Sequence, residues 1–349
     1  MKYSVFVMPV RERVNPGTCE IIAYFLDFYL GVCYDLVRKK TEGSFMKISV
    51  IQQNLGFGYD PFGDLPSLSS LKIKAAERID ECLRLIDKAA EEGTDLAITT
   101  ETVNAITVLG DERYDYTELF GGIDSETVRR FSEAAGRNRI YIVAGLVLTI
   151  DGSAYNCAVL FNRAGEIVGI HKKVHLPAGE ERHVKAGDRY DVYETELGNI
   201  GMLVCWDMQY PEAARELALG GADLICCPTL GWENIYGLCR AYENGVTIAA
   251  AMCVFDPSAA PMCGPSCIVD NMGRVIVKAD PRQTCVVSAE VDVLSEPRPQ
   301  YHSDRFYPSD SMRRTRFVQR RPETYRLASR SLEDTPLYNR YFDKKTDIG

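Results

Sequence analysis

The chain has 349 residues, of which 46% are hydrophobic and 26% charged, and it carries a formal net charge of -9. This is the composition of an ordinary globular protein, long enough to bury a sizeable core as one large domain or two small ones. The acidic balance argues against nucleic acid or an anionic membrane as the main partner, because neither is drawn to the average surface.

Residues 1–45 differ in character from the remainder of the chain. The run Glu20 to Val37 (EIIAYFLDFYLGVCYDLV) is apolar, but it starts too late and holds too much acid for a secretory signal. As a membrane span it would bury Asp27 near its centre, at a cost of roughly 2.5 to 3.5 kcal/mol. On a helix, Glu20, Asp27 and Gly31 share one narrow face, which predicts an amphipathic appendage packed on the body or on a partner subunit. The alternative is that Met46 is the native start, since MKISVIQQ reads as an amino-terminal buried strand.

Beyond Met46 the patterns alternate regularly between helix and strand. Ala75, Ala76, Ile79, Cys82, Leu83, Ile86 and Ala90 predict a helix over Leu71 to Glu92, ended by Gly93. A strand over Asp95 to Thr99 leads into Thr100 and Glu101. A second helix starts near Ser125, turns Val128, Phe131 and Ala135 inward, and stops at Gly136. Ile140 to Leu148, Ala154 to Phe161 and Ile167 to Val174 read as strands joined by turns at Asp151-Gly152 and Ala164-Gly165, hence as hairpin neighbours.

The stretch Gly198 to Thr229 reads as strand, loop, helix, strand. Ile200 to Val204 is an unbroken apolar run, as expected of a strand buried on both faces, and Cys205 stands at its carboxyl end. Asp207 to Tyr210 is a polar and aromatic loop, Pro211 suits the first turn of a helix, and Gly220-Gly221 ends that helix before a strand over Leu224 to Cys227. A helix over Trp232 to Gly245 and strands over Val246 to Phe255, Cys267 to Asp270, Val275 to Lys278 and Cys285 to Val291 complete an α/β chain. Past about Ser295 the sequence turns polar and Arg-rich, which predicts an extended tail crossing a surface.

Open α/β sheets place their chemistry at the carboxyl ends of strands. Glu101, Lys173 and Cys205 all fall there. In EIVGIHKKVHLP, alternation sends Lys172 and Lys173 to opposite faces, so one lysine points inward and needs an anionic partner. Glu101 would satisfy it. The three groups make a mechanism: Glu101 takes the thiol proton, Cys205 attacks an electrophilic carbon, and Lys173 with a backbone N–H near Trp206 steadies the oxyanion. Histidine is the usual base for cysteine, and His171 and His175 flank Lys173 by two residues on either side, so spacing alone leaves a Cys-His dyad open. Of the 12 cysteines, Cys263 and Cys267 in CGPSC have no partner pair or nearby histidine, which predicts reduced thiols in a cytoplasmic protein rather than a zinc site.

These residues resemble the nitrilase superfamily of carbon-nitrogen hydrolases, whose catalytic Glu, Lys and Cys sit in short motifs in this order. Cys205 matches through GMLVCWDMQYPEAAREL, similar to the amidase and carbamoylase form, and Lys173 through HKKVHLP. Glu101 matches with Thr100 in the place of the family's usual proline. Tyr155-Asn156, RAYEN from Arg240, GPSCIVDNMGRVI from Gly264 and RRPETY from Arg320 are further landmarks.

The resemblance implies an α-β-β-α sandwich, with two mixed sheets flanked by helices and capable of forming four layers, over residues 46–325, with a tail over 326–349. It implies a second glutamate orienting the lysine, Glu180 by the better match and Glu181 by the alternative. It further implies homodimers or higher homo-oligomers, no metal and no organic cofactor. The expected reaction is hydrolysis of a small carboxamide or N-carbamoyl compound with release of ammonia. A nitrilase or a non-catalytic binding protein on the same fold is the alternative, and Asp207 after Trp206 favours the amide. Trp206, Thr229 and Trp232 are the expected substrate contacts, and Arg240 either holds a substrate carboxylate or caps a helix.

Overall fold

The computed structural model describes residues 45–55, 67–105, 120–296 and 311–341. The appendage expected over residues 20–37 lies outside them. In chain order the strands are β1 (Phe45–Gln52), β2 (Leu96–Ile98), β3 (Tyr141–Ile150), β4 (Ser153–Phe161), β5 (Ile167–Lys172) and β6 (Val192–Thr195). They continue with β7 (Gly198–Met202), β8 (Leu224–Pro228), β9 (Thr247–Ala251), β10 (Cys267–Val269), β11 (Val275–Lys278) and β12 (Cys285–Asp292).

The strands form two mixed sheets of six, in the orders β12-β1-β2-β3-β4-β5 and β11-β10-β9-β8-β7-β6. In the first, β1, β2 and β3 run parallel, and β4, β5 and β12 pair antiparallel. In the second, β7, β8 and β9 run parallel, with β6 and β10 antiparallel beside them. The expected hairpins β3-β4 and β4-β5 both form.

Side-chain alternation assigns each strand residue to one of two sides. Ile48, Val50, Ile98, Val143 and Leu160 of the first sheet meet Ile200, Met202, Leu224, Cys226 and Ala249 of the second in a core between the sheets. The opposite face of the first sheet, with Ile51, Ile142 and Leu146, receives Ile79, Cys82, Ile86 and Phe131 from the helices Leu68–Glu91 and Glu126–Asn138. The opposite face of the second, with Leu203, Ile225 and Ile248, receives Ala213, Ala214, Leu217 and Ala241 from the helices Pro211–Leu219 and Asn234–Asn244. Each fully buried Val, Leu, Ile, Met or Phe side chain among these contributes roughly 1.5 to 3 kcal/mol. The result is the expected α-β-β-α sandwich.

Two expectations need correction, and one strand had no expectation at all. The second helix does not stop at Gly136 but runs to Asn138, with Arg139 taking the left-handed cap at φ 54. Gly136 serves contact instead, since a Cβ there would sit 3.3 Å from the carbonyl of Ala164. The tail is not simply extended: Ser311 caps a helix over Met312–Val318, Met312 and Thr315 are buried, and Arg313 donates to the carbonyl of Ala222 at 2.7 Å. Strand β6 was not expected at all, because its short half-buried VYET carries little apolar signal. Among the described residues no helix is long and apolar enough to cross a membrane.

Candidate active site

Glu101 leaves β2 through a tight turn, and its side chain is buried. Thr102 adopts φ 53, a strained value for a β-branched residue. Asn104 anchors the turn by exchanging 2.8 Å hydrogen bonds with the main chain of Val147 on β3. Gly145, also on β3, makes room for it. A Cβ at that position would stand 2.3 Å from the carbonyl oxygen of Thr100 and 2.7 Å from the Cα of Glu101.

Strand β5 ends at Lys172, whose ammonium lies over the Tyr155 ring at 4.2 Å while Lys173 turns inward. Lys173 is 2% exposed, which makes partners obligatory. Its Nζ donates to Glu101 Oε1 at 2.9 Å and to Glu180 Oε2 at 2.7 Å. Of the two glutamates considered, Glu180 therefore contacts the lysine. Glu181 turns back to accept the N–H of Gly179 at 2.7 Å.

Cys205 opens a short 3-10 turn, Cys205–Gln209, at the end of the β7 segment. Its φ of 44 is again left-handed, an uncommon conformation for a residue with a Cβ. The thiol donates to the carbonyl of Gly231 at 3.3 Å. The same loop contributes the N–H of Leu230, which donates to Glu101 Oε2 at 2.8 Å. The base candidate and the thiol are thus held by consecutive residues of one loop.

That turn is fixed by Asp207, which is fully buried. Its Oδ2 accepts from the N–H of Val204 at 3.1 Å and pairs with His171 Nε2 at 2.9 Å. Its Oδ1 accepts the N–H of His175 at 2.8 Å and that of Val174 at 3.2 Å, and lies 3.2 Å from His175 Nδ1. Both imidazoles weighed as bases are therefore turned onto Asp207. Arg240 also belongs to this support: it donates to the carbonyls of Met208 at 3.3 Å and Gln209 at 2.9 Å, and pairs with Glu243. Its guanidinium secures the Cys205 turn.

The charges reflect this packing. Burial works to lower Lys173, but the charges of Glu101 and Glu180 outweigh it and hold the ammonium above its usual range. Burial dominates at Glu180 and raises its carboxyl despite the lysine. Burial, then the charge of Glu101, pushes the Cys205 thiol up to about 12, against the lowering pull of Lys173. The resting thiol is thus protonated at neutral pH, and attack by it requires a base. Asp207 goes the other way: burial acts to raise it, and the hydrogen bonds from His171 and His175 overcome burial and hold it well below the carboxylate range.

The expected substrate contacts are placed differently from one another. Trp206 is 37% exposed beside the thiol. Thr229 is buried, its hydroxyl donating to the carbonyl of Gly231 at 3.0 Å and accepting that residue's N–H at 3.1 Å, so it shapes the loop. Trp232 is 4% exposed in the outer core, its indole N–H on the carbonyl of Gly264 at 3.0 Å. Sequence reasoning gave no role to Asn156, whose Nδ2 donates to Glu101 Oε1 at 2.7 Å and to Glu180 Oε1 at 2.8 Å. The available signal was an amide inside the otherwise apolar run of β4.

The carbon-nitrogen hydrolase family matches residues 63–297. The protein named nitrilase homolog 2 of Dictyostelium discoideum is 30% identical over 266 residues, 68% of this chain and 79% of its own length. The omega-amidase NIT2 of Xenopus tropicalis is 30% identical over 247 residues, 64% of this chain and 87% of its own length. The crystal structure of a carbon-nitrogen hydrolase from Helicobacter pylori G27 superposes with a TM-score of 0.64 at 24% identity, covering 82% of this chain and 99% of that one. It shares the fold.

Proposed function

This chain belongs to the carbon-nitrogen hydrolase family, and from that premise we propose that it hydrolyses a small carboxamide or N-carbamoyl compound through a thioester on Cys205, releasing ammonia. The observation that carries the reading is the buried contact of Lys173 with Glu101, 2.9 Å apart and tied through the Leu230–Gly231 loop to the thiol. Glu101 takes the proton of Cys205 as sulfur bonds to the carbonyl carbon. The oxyanion forms against Lys173 and the N–H of Trp206. Glu101 returns the proton to the leaving nitrogen, the C–N bond breaks, and ammonia departs. Glu101 then deprotonates a water that attacks the thioester carbon, and the C–S bond breaks to restore the thiol and release the acid.

Glu180 holds Lys173 in place through its 2.7 Å contact. Trp206 offers both its N–H and an exposed ring to substrate, Thr229 shapes the wall beside it, and Trp232 backs that wall from the core. The unit that performs this chemistry spans residues 46–325 and works as a homodimer or larger homo-oligomer. A Glu rather than His base is supported by the engagement of His171 and His175 on Asp207. The name of the omega-amidase relative favours an amide over a nitrile.

Ammonia release measured over ω-amides, N-carbamoyl amines, N-carbamoyl amino acids and nitriles tests the reading. Amides or N-carbamoyl compounds should turn over, and both Cys205→Ala and Glu101→Gln should abolish that turnover while His175→Ala spares it. Turnover that survives Cys205→Ala overturns the thioester. Loss with His175→Ala and retention with Glu101→Gln would instead establish a Cys-His dyad.

A further inference from the structure

Asn156 lies in β4 with its side chain 1% exposed. One atom, Nδ2, donates to Glu101 Oε1 at 2.7 Å and to Glu180 Oε1 at 2.8 Å. Lys173 Nζ donates to the same oxygen of Glu101 at 2.9 Å and to the other oxygen of Glu180 at 2.7 Å. Two donors and two carboxylates thus close a ring. The main-chain carbonyl of Asn156 also accepts the N–H of Lys173 at 2.8 Å. A single residue holds both carboxylates and the backbone of the lysine between them.

This ring makes the two oxygens of Glu101 unequal. A carboxylate oxygen offers two lone-pair sites. Both sites of Oε1 are taken, one by Lys173 and one by Asn156. Among the described residues Oε2 accepts from the N–H of Leu230 alone, which leaves one site. Leu230 precedes Gly231, whose carbonyl receives the Cys205 thiol.

Resting on the reading of Glu101 as the base, we infer that Asn156 is a positioning residue of the reaction, which occupies the second site of Glu101 Oε1 and so directs proton acceptance to Oε2. An amide suits the task because it donates without charge. Glu101, Glu180, Lys173 and Cys205 are the titratable groups joined in this site, and a further formal charge among them would redistribute their protons. The Oδ1 of Asn156 has no hydrogen-bond partner among the described residues. The side chain is held entirely through its donor end, by two charge-assisted bonds.

The test compares Asn156→Ala and Asn156→Asp with the wild type on whichever amide the ammonia screen finds. Asn156→Ala should lower kcat by about 10²-fold, the scale of a misplaced catalytic group, with KM nearly unchanged. Asn156→Asp is nearly isosteric, so it preserves packing. It should be slow at neutral pH and regain kcat as pH falls, because its protonated carboxyl again supplies a donor. A rise in KM at unchanged kcat for the alanine variant, or a kcat profile for the aspartate variant parallel to wild type, overturns the inference. Should the alanine variant not fold, the pH profile of the aspartate variant decides alone. Wild-type behaviour of both variants while Glu101→Gln is inactive refutes only the role of Asn156, whereas an active Glu101→Gln refutes the reading beneath it.

Discussion

Asp207 Oδ1 accepts the main-chain N–H of His175 at 2.8 Å, and so ties the segment leaving Lys173 to the turn that begins at Cys205. Two halves of the site, one from each sheet, are joined at a buried carboxylate. That carboxylate is held well below its usual value of 3.8, because bonds from His171 and His175 overcome its burial. A depressed folded-state pKa adds stability above the unfolded value, and that stability is lost as pH falls through the folded one. Acidification from about pH 4 downwards should therefore destabilise the wild type more steeply than Asp207→Asn. Urea unfolding across that range measures it, and equal slopes would show that Asp207 is not so held.

Lys173→Met leaves Glu101 and Glu180 buried without their cation. Breaking one partner of a buried ion pair costs about 3 to 5 kcal/mol. The midpoint of urea unfolding should fall accordingly and turnover should vanish. Adding Glu180→Gln removes one uncompensated charge, so the double variant should recover part of the stability and none of the activity. An additive further loss would speak against the pairing.

The Cys205 thiol is pushed up to about 12 by burial first and then by the charge of Glu101. Glu101→Gln removes the second cause. The midpoint of the pH dependence of iodoacetamide labelling at Cys205 should then move down, even though turnover is lost. An unchanged or higher midpoint contradicts the electrostatic account.

Gly145→Ala tests the close approach beneath Glu101. Its Cβ would stand 2.3 Å from the carbonyl oxygen of Thr100 and 2.9 Å from the side chain of Pro228. Backbone must move, which costs about 1 to 3 kcal/mol for overpacking. The displaced glutamate should lower kcat by about 10²-fold. Gly152→Ala is the control for space, since nothing among the described residues lies within 4 Å of a Cβ there, although its φ of 72 still costs some strain.

Fold and site were not equally legible in the sequence. The apolar runs of β1, β7 and β8 identified themselves because they are unbroken and buried on both faces, and the stripes of the long helices because their burial is periodic. Gly152 and Gly165 marked their turns because both adopt positive φ. Strand β6 and the helix at Met312–Val318 escaped because each is short and half exposed, so that neighbours rather than period define it. Arg240 was legible as a polar group in a helix, and its task was not, since the carbonyls it reaches belong to another segment.

The sequence by itself determined the alternation of helices and strands and the three strand-end groups Glu101, Lys173 and Cys205, because periodicity and turn chemistry act between near neighbours, while the order of layers followed only from the family its motifs resemble. Only the tertiary structure decided that Glu180 rather than Glu181 meets the lysine, that both imidazoles turn to Asp207, and that Asn156 bridges two carboxylates. Those choices depend on groups such as Glu101 and Leu230, 129 residues apart, whose meeting is set by how two sheets pack. A buried charge takes whatever donor that packing brings within reach, and no local pattern records which donor it will be.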